Sequence, residues 1–266
     1  MTDKLDSSCL PEGYQCVLYD DFQSDGVDRD KWDFRLDTSK VCHCDAECVG
    51  VAKGACLKIS LLDMKDLAAR RRLTTTDINT EQPEACDESP VGGNCPFAGG
   101  GIVTKQAFKH GYFEMRARMW CEKGWHQAFW LTTSHDLRAP ASGPRQEIDI
   151  VETRSGHKSM TWNLHRWMPR PHEKIIGKCI HPTPDLSKDF HTWGLLWTDS
   201  ELVWYFDGQE TGRVDLTAVP IAAADWTPQY VWVTAISLET TYKDIDTKKL
   251  PGCMEVAYVK IYQKQT

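Results

Sequence analysis

The chain contains no run of eighteen apolar residues, which excludes a membrane-spanning helix of ordinary length. Residues Met1 to Leu5 have no apolar core of the kind a secretory leader carries. Basic residues are in the minority, 31 lysines and arginines against 38 acids, leaving a net charge of −7. With no basic stripe to offset that charge, the composition argues against a nucleic-acid partner. The C-x2-C knuckles of familiar zinc sites are also missing, although the chain has 11 cysteines.

That cysteine count is high for a cytosolic enzyme and odd, so disulfides plus at least one free thiol in an oxidising compartment are expected. The protein is therefore expected to be secreted or extracellular with its signal peptide trimmed; an intracellular protein is the alternative. Cys42, Cys44, Cys48 and Cys56, spaced C-x-C-x3-C-x7-C around His43, read first as disulfide partners, with zinc or free thiols as the other accounts. Cys86 and Cys95 bracket a Pro/Gly-rich stretch and read as a further staple. Tryptophan is abundant, at 11 residues, and it suits places where a flat apolar face meets something partly wet; sugar rings have such faces. A chain of 266 residues can be a single all-β domain, and many short strands with turn signals suggest a sandwich.

The most informative stretch is RQEIDIVE, Arg145 to Glu152. Apolar and acidic residues alternate in Glu147-Ile148-Asp149-Ile150, so Glu147 and Asp149 share one strand face. Glu152, five residues from Glu147, would point the other way in a straight strand. A β-bulge at Ile150 or Val151 would return it to the same face, and such a bulge is expected here. Three acids on one face repel, so one is pushed toward its neutral form while another stays ionised. Glycoside hydrolysis needs that division: a carboxylate attacks the anomeric carbon and a carboxylic acid protonates the leaving oxygen, the two lying about 5 to 5.5 Å apart in retaining enzymes.

EIDIVE resembles the signature E-x-D-x-x-E of glycoside hydrolase family 16, in the bulged form shared by laminarinases, agarases, porphyranases and carrageenases. The resemblance makes Glu147 the nucleophile, Asp149 its helper and Glu152 the general acid/base. It extends through GGGIVTKQAFKHGYFEMRARMW, similar to the family's "sGxitTkxkfxyGyfExRiK", GWHQAFWL, similar to "GxWPAFWll", and FHTWGLLWTDSELVWYFDGQETGRV, similar to "dFHtYgleWtpdxixwyvDGkxv". It covers about residues 14–263, with long loops at 33–53 and 63–98. The fold it implies is a concanavalin A-like β-jelly roll, two antiparallel sheets with a concave cleft, acting as a monomer on a polysaccharide, with no membrane partner.

The same resemblance nominates substrate contacts. Trp125 and Trp130 are candidates for stacking, one of them being core. Arg116 is expected near the cleft, and His165 near the acid/base. Trp162 and Trp167, five apart, can place only one ring in the groove. Glu239 follows the strand at Tyr230 in a segment that resembles galactan-cleaving members. His126 and Gln127 depart from the family at its Trp-Pro pair. No cofactor or catalytic metal is expected, and a structural calcium is doubtful because Ala257 replaces the family's Asp. Arg70-Arg71-Arg72 reads as a solvated loop, with an anionic sugar contact as the alternative. The activity implied is endo-acting retaining hydrolysis of β-1,3- or β-1,3/1,4-glucan, with a β-galactan such as agar, porphyran or carrageenan as the alternative. A transglycosylase and a carbohydrate-binding protein on the same fold are the remaining readings.

Overall fold

The computed structural model describes residues 12–52, 56–76, 95–138, 143–154, 159–168, 171–180 and 182–265. One antiparallel sheet runs β11 (Glu173–Ile180), β10 (Met160–Met168), β9 (Arg145–Arg154), β8 (Trp125–Thr132), β15 (Tyr230–Ser237) and β6 (Phe97–Thr104), with β2 (Trp32–Phe34) on the far side of β6. The other runs β5 (Cys56–Asp63), β16 (Gly252–Lys264), β7 (Gly111–Arg118), β12 (His191–Trp197), β13 (Glu201–Phe206) and β14 (Gln209–Asp215). In this second sheet β4 (Val49–Ala52) pairs with β5, and β1 (Tyr14–Asp20) lies along the last part of β16. The end of β5 pairs with the start of β6 and joins the two sheets at one edge; β3 (Cys42–Cys44) runs parallel to β6 there.

Alternation puts one apolar face of each sheet into a shared core. Ile148, Ile150 and Val151 of β9 meet Met115 of β7, Trp193, Leu195 and Trp197 of β12, and Ile261 of β16. Directly beneath β9, Trp162 of β10 stacks on Trp204 of β13 with centroids 4.3 Å apart and planes 16° apart. Trp204 also donates its indole N–H to the Asp149 carbonyl, 2.9 Å away, so the second sheet holds the backbone of β9 from below. Asp207 and Gly208, both at positive φ, make the two-residue turn between β13 and β14, as an Asp-Gly pair between alternating strands should.

Several expectations need correction. Residues 33–53, expected as loop, hold β3, β4 and a short 3-10 turn at Ala46–Cys48, pieces too short to show a period. The stretch after Leu62 is helical for longer than one or two turns: α1 spans Met64–Thr76. There Arg70 donates to the Ser60 hydroxyl and Arg71 pairs with Asp45, so two of the three arginines are bound internally. β11 has no counterpart in the sequence reading. It is an edge strand exposed along nearly its whole length, so no apolar alternation marks it.

The expected disulfides do not form among the described residues: Cys16, Cys42, Cys44, Cys48, Cys56, Cys95, Cys121, Cys179 and Cys253 are all free. Cys42 and Cys44 sit two apart on one side of β3, and His43 points away toward Thr38, Asp45 and Arg71, so the four-cysteine stretch with its histidine does not converge on a zinc site. The staple expected between Cys86 and Cys95 lies outside the described residues at Cys86. The buried carboxylate of the opening strand, Asp20, accepts from the Trp32 indole and the Phe22 amide and lies 3.9 Å from Lys31, while Ala257 brings no oxygen ligand from its side chain.

Gly212 of β14 allows Trp162 to lie against the second sheet, since a Cβ there would come within 2.2 Å of its ring. Gly212→Ala is expected to cost about 1–3 kcal/mol through forced repacking of the Trp162–Trp204 stack. Thermal unfolding measures it, and an unchanged midpoint would show that the ring yields freely.

Candidate active site

The bulge in β9 is present at the position expected. Against β8, Val151 pairs with Phe129 and Asp149 with Trp130, so Ile150 has no partner. Against β10, Glu152 pairs with Thr161 and Asp149 with Asn163, again with one residue too many on β9. Ile150 and Val151 both turn into the core, and Glu147, Asp149 and Glu152 all turn outward. Asp149 is 3% exposed and Glu152 7%, although they lie on the sheet face turned away from the core; that face is therefore hollowed around them.

Each carboxylate meets different neighbours because successive positions on β8 and β10 flank it. Glu147 lies between Thr132 and His165 in register, with the Arg145 guanidinium 3.9 Å from one oxygen. Burial, then the charge of Asp149, pushes Glu147 up to about 8, and His165 and Arg145 only partly oppose this. Asp149 contacts His165 Nε2 at 3.3 Å, and His165 Nδ1 lies 3.0 Å from His172 Nε2. Glu152 has polar partners on both oxygens. Oε1 is 2.7 Å from His126 Nε2, while Oε2 accepts from Asn163 Nδ2 and lies 3.4 Å from the Thr161 hydroxyl.

Among the described residues, one group brings three ligating atoms within 4.8 Å of one another: Glu147, Asp149 and His165. Two acids and an imidazole so close can share protons as readily as they could share a cation, and the raised affinity of Glu147 for a proton is what such crowding produces.

The structure separates the other nominated residues. His165 joins the carboxylates. Trp167 lies on the same side, stacked on His172 at 3.8 Å with the Arg145 guanidinium 5.4 Å from its ring. Trp162 is the core member of that pair, as its stack on Trp204 shows. Trp130 flanks Asp149 in register and stacks on Trp232 of β15 at 5.4 Å, forming apolar floor beside the acids. Trp125 is not a groove residue: it is buried in the sandwich core, edge-on to Phe97. Arg116 is likewise displaced from the expected place. It projects from β7 on the outer face of the second sheet, over Phe190, because Met115 and Ala117 take the core-facing positions beside it. Glu239, exposed beyond the end of β15, lines a recess of about 180 Å³ with Arg35, Cys42 and Cys44.

Five residues at the site were not nominated from sequence: His126, Asn163, Trp232, His172 and Arg145. Parity would have found three of them. His126 lies an even step from Trp130, Asn163 from His165 and Arg145 from Glu147, so each shares a face with a nominated residue. Trp232 needed the β8–β15 register, and His172 a reversal of the chain after β10, neither of which a single sequence supplies.

Residues 61–259, three quarters of the chain, match the model of the glycosyl hydrolases family 16. The chain belongs to glycosyl hydrolases family 16. Endo-1,3-1,4-beta-glycanase ExsH of Rhizobium meliloti (strain 1021) is 37% identical over 121 residues, covering 45% of this chain and 24% of that protein. Beta-porphyranase B of Phocaeicola plebeius is 26% identical over 239 residues, 75% of this chain and 68% of that one. The solved structure of SCLam, a non-specific endo-beta-1,3(4)-glucanase, superposes with a TM-score of 0.72 at 23% identity over 96% of this chain and 93% of its own; the likeness is one of fold, the family's β-jelly roll. The matched segment spans 24% to 42% of the length of the curated glycanase and glucosidase relatives from Rhizobium meliloti and Cryptopygus antarcticus.

The raised affinity of Glu147 for protons has a thermodynamic consequence. Its folded-state value of about 8 lies above the unfolded value of 4.5, so the folded chain holds the proton that the unfolded chain has released between them. Stability therefore falls as pH rises through that interval, by at most about 1.4 kcal/mol per pH unit for this one group. Glu147→Gln does not titrate, so its melting temperature relative to the native protein is expected to rise from pH 5 to pH 9. A difference independent of pH would show that Glu147 is not raised.

Proposed function

We propose that the protein is an endo-acting, retaining glycoside hydrolase that cleaves internal β-1,3 or β-1,3/1,4 linkages of a glucan. The observation that carries this is the bulge at Ile150, which sets Glu147, Asp149 and Glu152 on one hollowed face with separate partners. Glu147 attacks the anomeric carbon as the bond to the leaving oxygen breaks, and Glu152 gives that oxygen its proton. A glycosyl ester on Glu147 results. Glu152, now a carboxylate, takes a proton from water as the water attacks, and the sugar leaves with its original anomeric configuration.

Asp149 serves the nucleophile in this scheme. With its contact to His165 it can take the proton that Glu147 must lose before attacking, and the His165–His172 contact carries the chain of polar groups outward. Trp167, half-buried beside His172, supplies flat apolar surface along which a sugar ring can lie, and Trp130, backed by the buried Trp232, forms the floor beside the acids. A polymer of that size would be met outside the cell, in keeping with the extracellular location expected from the sequence.

Glucan is placed first because the endo-1,3-1,4-beta-glycanase of Rhizobium meliloti has the higher identity. A β-galactan is the second reading, favoured by the longer though weaker match to the porphyranase. Reducing-end release from laminarin, lichenan, agarose, porphyran and carrageenan distinguishes them. Cleavage of laminarin or lichenan is expected, with kcat lowered about 10²–10⁴-fold in Glu152→Gln and at least as far in Glu147→Gln. Release confined to a galactan would replace the substrate; retardation by one polymer in an affinity gel with no release from any would favour a binding protein.

A further inference from the structure

His126 is the residue at which β8 departs from the family pattern, and it lies against the group proposed as acid/base. Its ring is 9% exposed and its Nε2 is 2.7 Å from Glu152 Oε1. The other ring nitrogen, Nδ1, is buried with no hydrogen-bond partner. A buried N–H without an acceptor is costly, so Nδ1 is the bare nitrogen and the ring proton sits on Nε2, where it donates to Glu152. His126 is therefore a donor to Glu152 through Nε2.

The groups around this contact push in opposite directions. Glu147 and Asp149, on the same face of β9, disfavour a charge on Glu152, with His165 beyond them on β10. Asn163 and Thr161 of β10 donate to Oε2 and favour the charge. On β15, the register partners of His126 and Ala128 are Ile236 and Thr234, which bring no charge, and Arg154 is the backbone partner of His126 in β9. His126 thus grips one oxygen, and Asn163 with Thr161 the other.

Resting on the hydrolase reading, we propose that His126 is the positioning residue of the acid/base: an imidazole that, with Asn163, fixes the plane of the Glu152 carboxyl and stabilises the carboxylate left once its proton has gone. In the first step the proton passes from Glu152 to the glycosidic oxygen, which takes the electron pair of the breaking C–O bond, and the His126 proton stays on Nε2. When water attacks, its proton returns to Glu152 and the contact is restored.

Two variants and a spectrum test this. His126→Phe is expected to lower kcat on the polymer about 10- to 100-fold with little change in KM, the range for losing a hydrogen bond to a charged group. The alkaline limb of its kcat/KM profile moves upward, because the carboxylate of Glu152 has lost a donor. His126→Gln, which keeps an N–H on a shorter arm, recovers part of both. On a dinitrophenyl glycoside, whose leaving group needs no proton, the loss in His126→Phe should largely disappear; an equal loss on both substrates overturns the proposal in favour of a packing role. Independently of any substrate, imidazole 15N resonances assigned by difference with His126→Gln should show the ring proton on Nε2, and an Nδ1–H tautomer overturns it. Failure of the native protein to cut any polymer or glycoside overturns the hydrolase reading and the acid/base role with it, whereas the resonances still decide the state of the ring.

Discussion

A single unpaired residue, Ile150, is the constraint on which the site depends. Without it β9 would alternate strictly, and Glu152 would enter the core among Phe129, Trp162 and Leu164, where an acid has no partner. With it, Ile150 and Val151 both fill the core and all three acids share the outer face. The bulge also disturbs the ladder on both sides of β9 at once, a local loss that needs support from elsewhere. Trp204 supplies part of that support by reaching across the sandwich to the Asp149 carbonyl, which explains why so large a ring lies under this strand.

Crowding three acids is unfavourable for folding and useful for chemistry. The cost appears at Glu147, whose proton is held to about pH 8 by burial and by Asp149. Glu152 is relieved differently, through polar partners on both oxygens. The two glutamates thus differ in kind as well as degree: one is next to a like charge opposed by an imidazole and a guanidinium, the other is wrapped in hydrogen bonds. The difference comes from which strand neighbours each residue meets, and the proposed division into one attacking and one protonating carboxyl would use it.

Much of this was legible in the chain. The odd spacing from Glu147 to Glu152 implied the bulge, the Asp207-Gly208 pair implied its hairpin, and the spacing of Trp162 and Trp167 implied that only one ring reaches the groove. What remained hidden required knowledge of which sheet a strand joins. Arg116 sits on a strand with clean alternation, but β7 belongs to the second sheet, so its polar face looks away from the acids. Trp125 is the core member of its pair with Trp130, at odd parity on β8 while the groove takes the even positions. The cysteines misled because their number suggested bonding, whereas burial as small apolar groups accounts for seven of the nine described, six buried and one intermediate.

The strand that does most to differentiate the acids is β10, and its period explains how. Thr161, Asn163, His165 and Trp167 are successive outward positions, and in order they meet Glu152, Glu152 again, Asp149, and the guanidinium of Arg145. The bulge in β9 makes this possible, since it shifts Glu152 by one position relative to β10 and leaves Asn163, the register partner of Asp149, with its amide on Glu152 instead. A straight β9 would give each acid its own rung and its own neighbour. The bulged one lets a single side chain belong to one rung by backbone and to the next by hydrogen bond, so that Asp149 and Glu152 are braced by the same strand while carrying different partners.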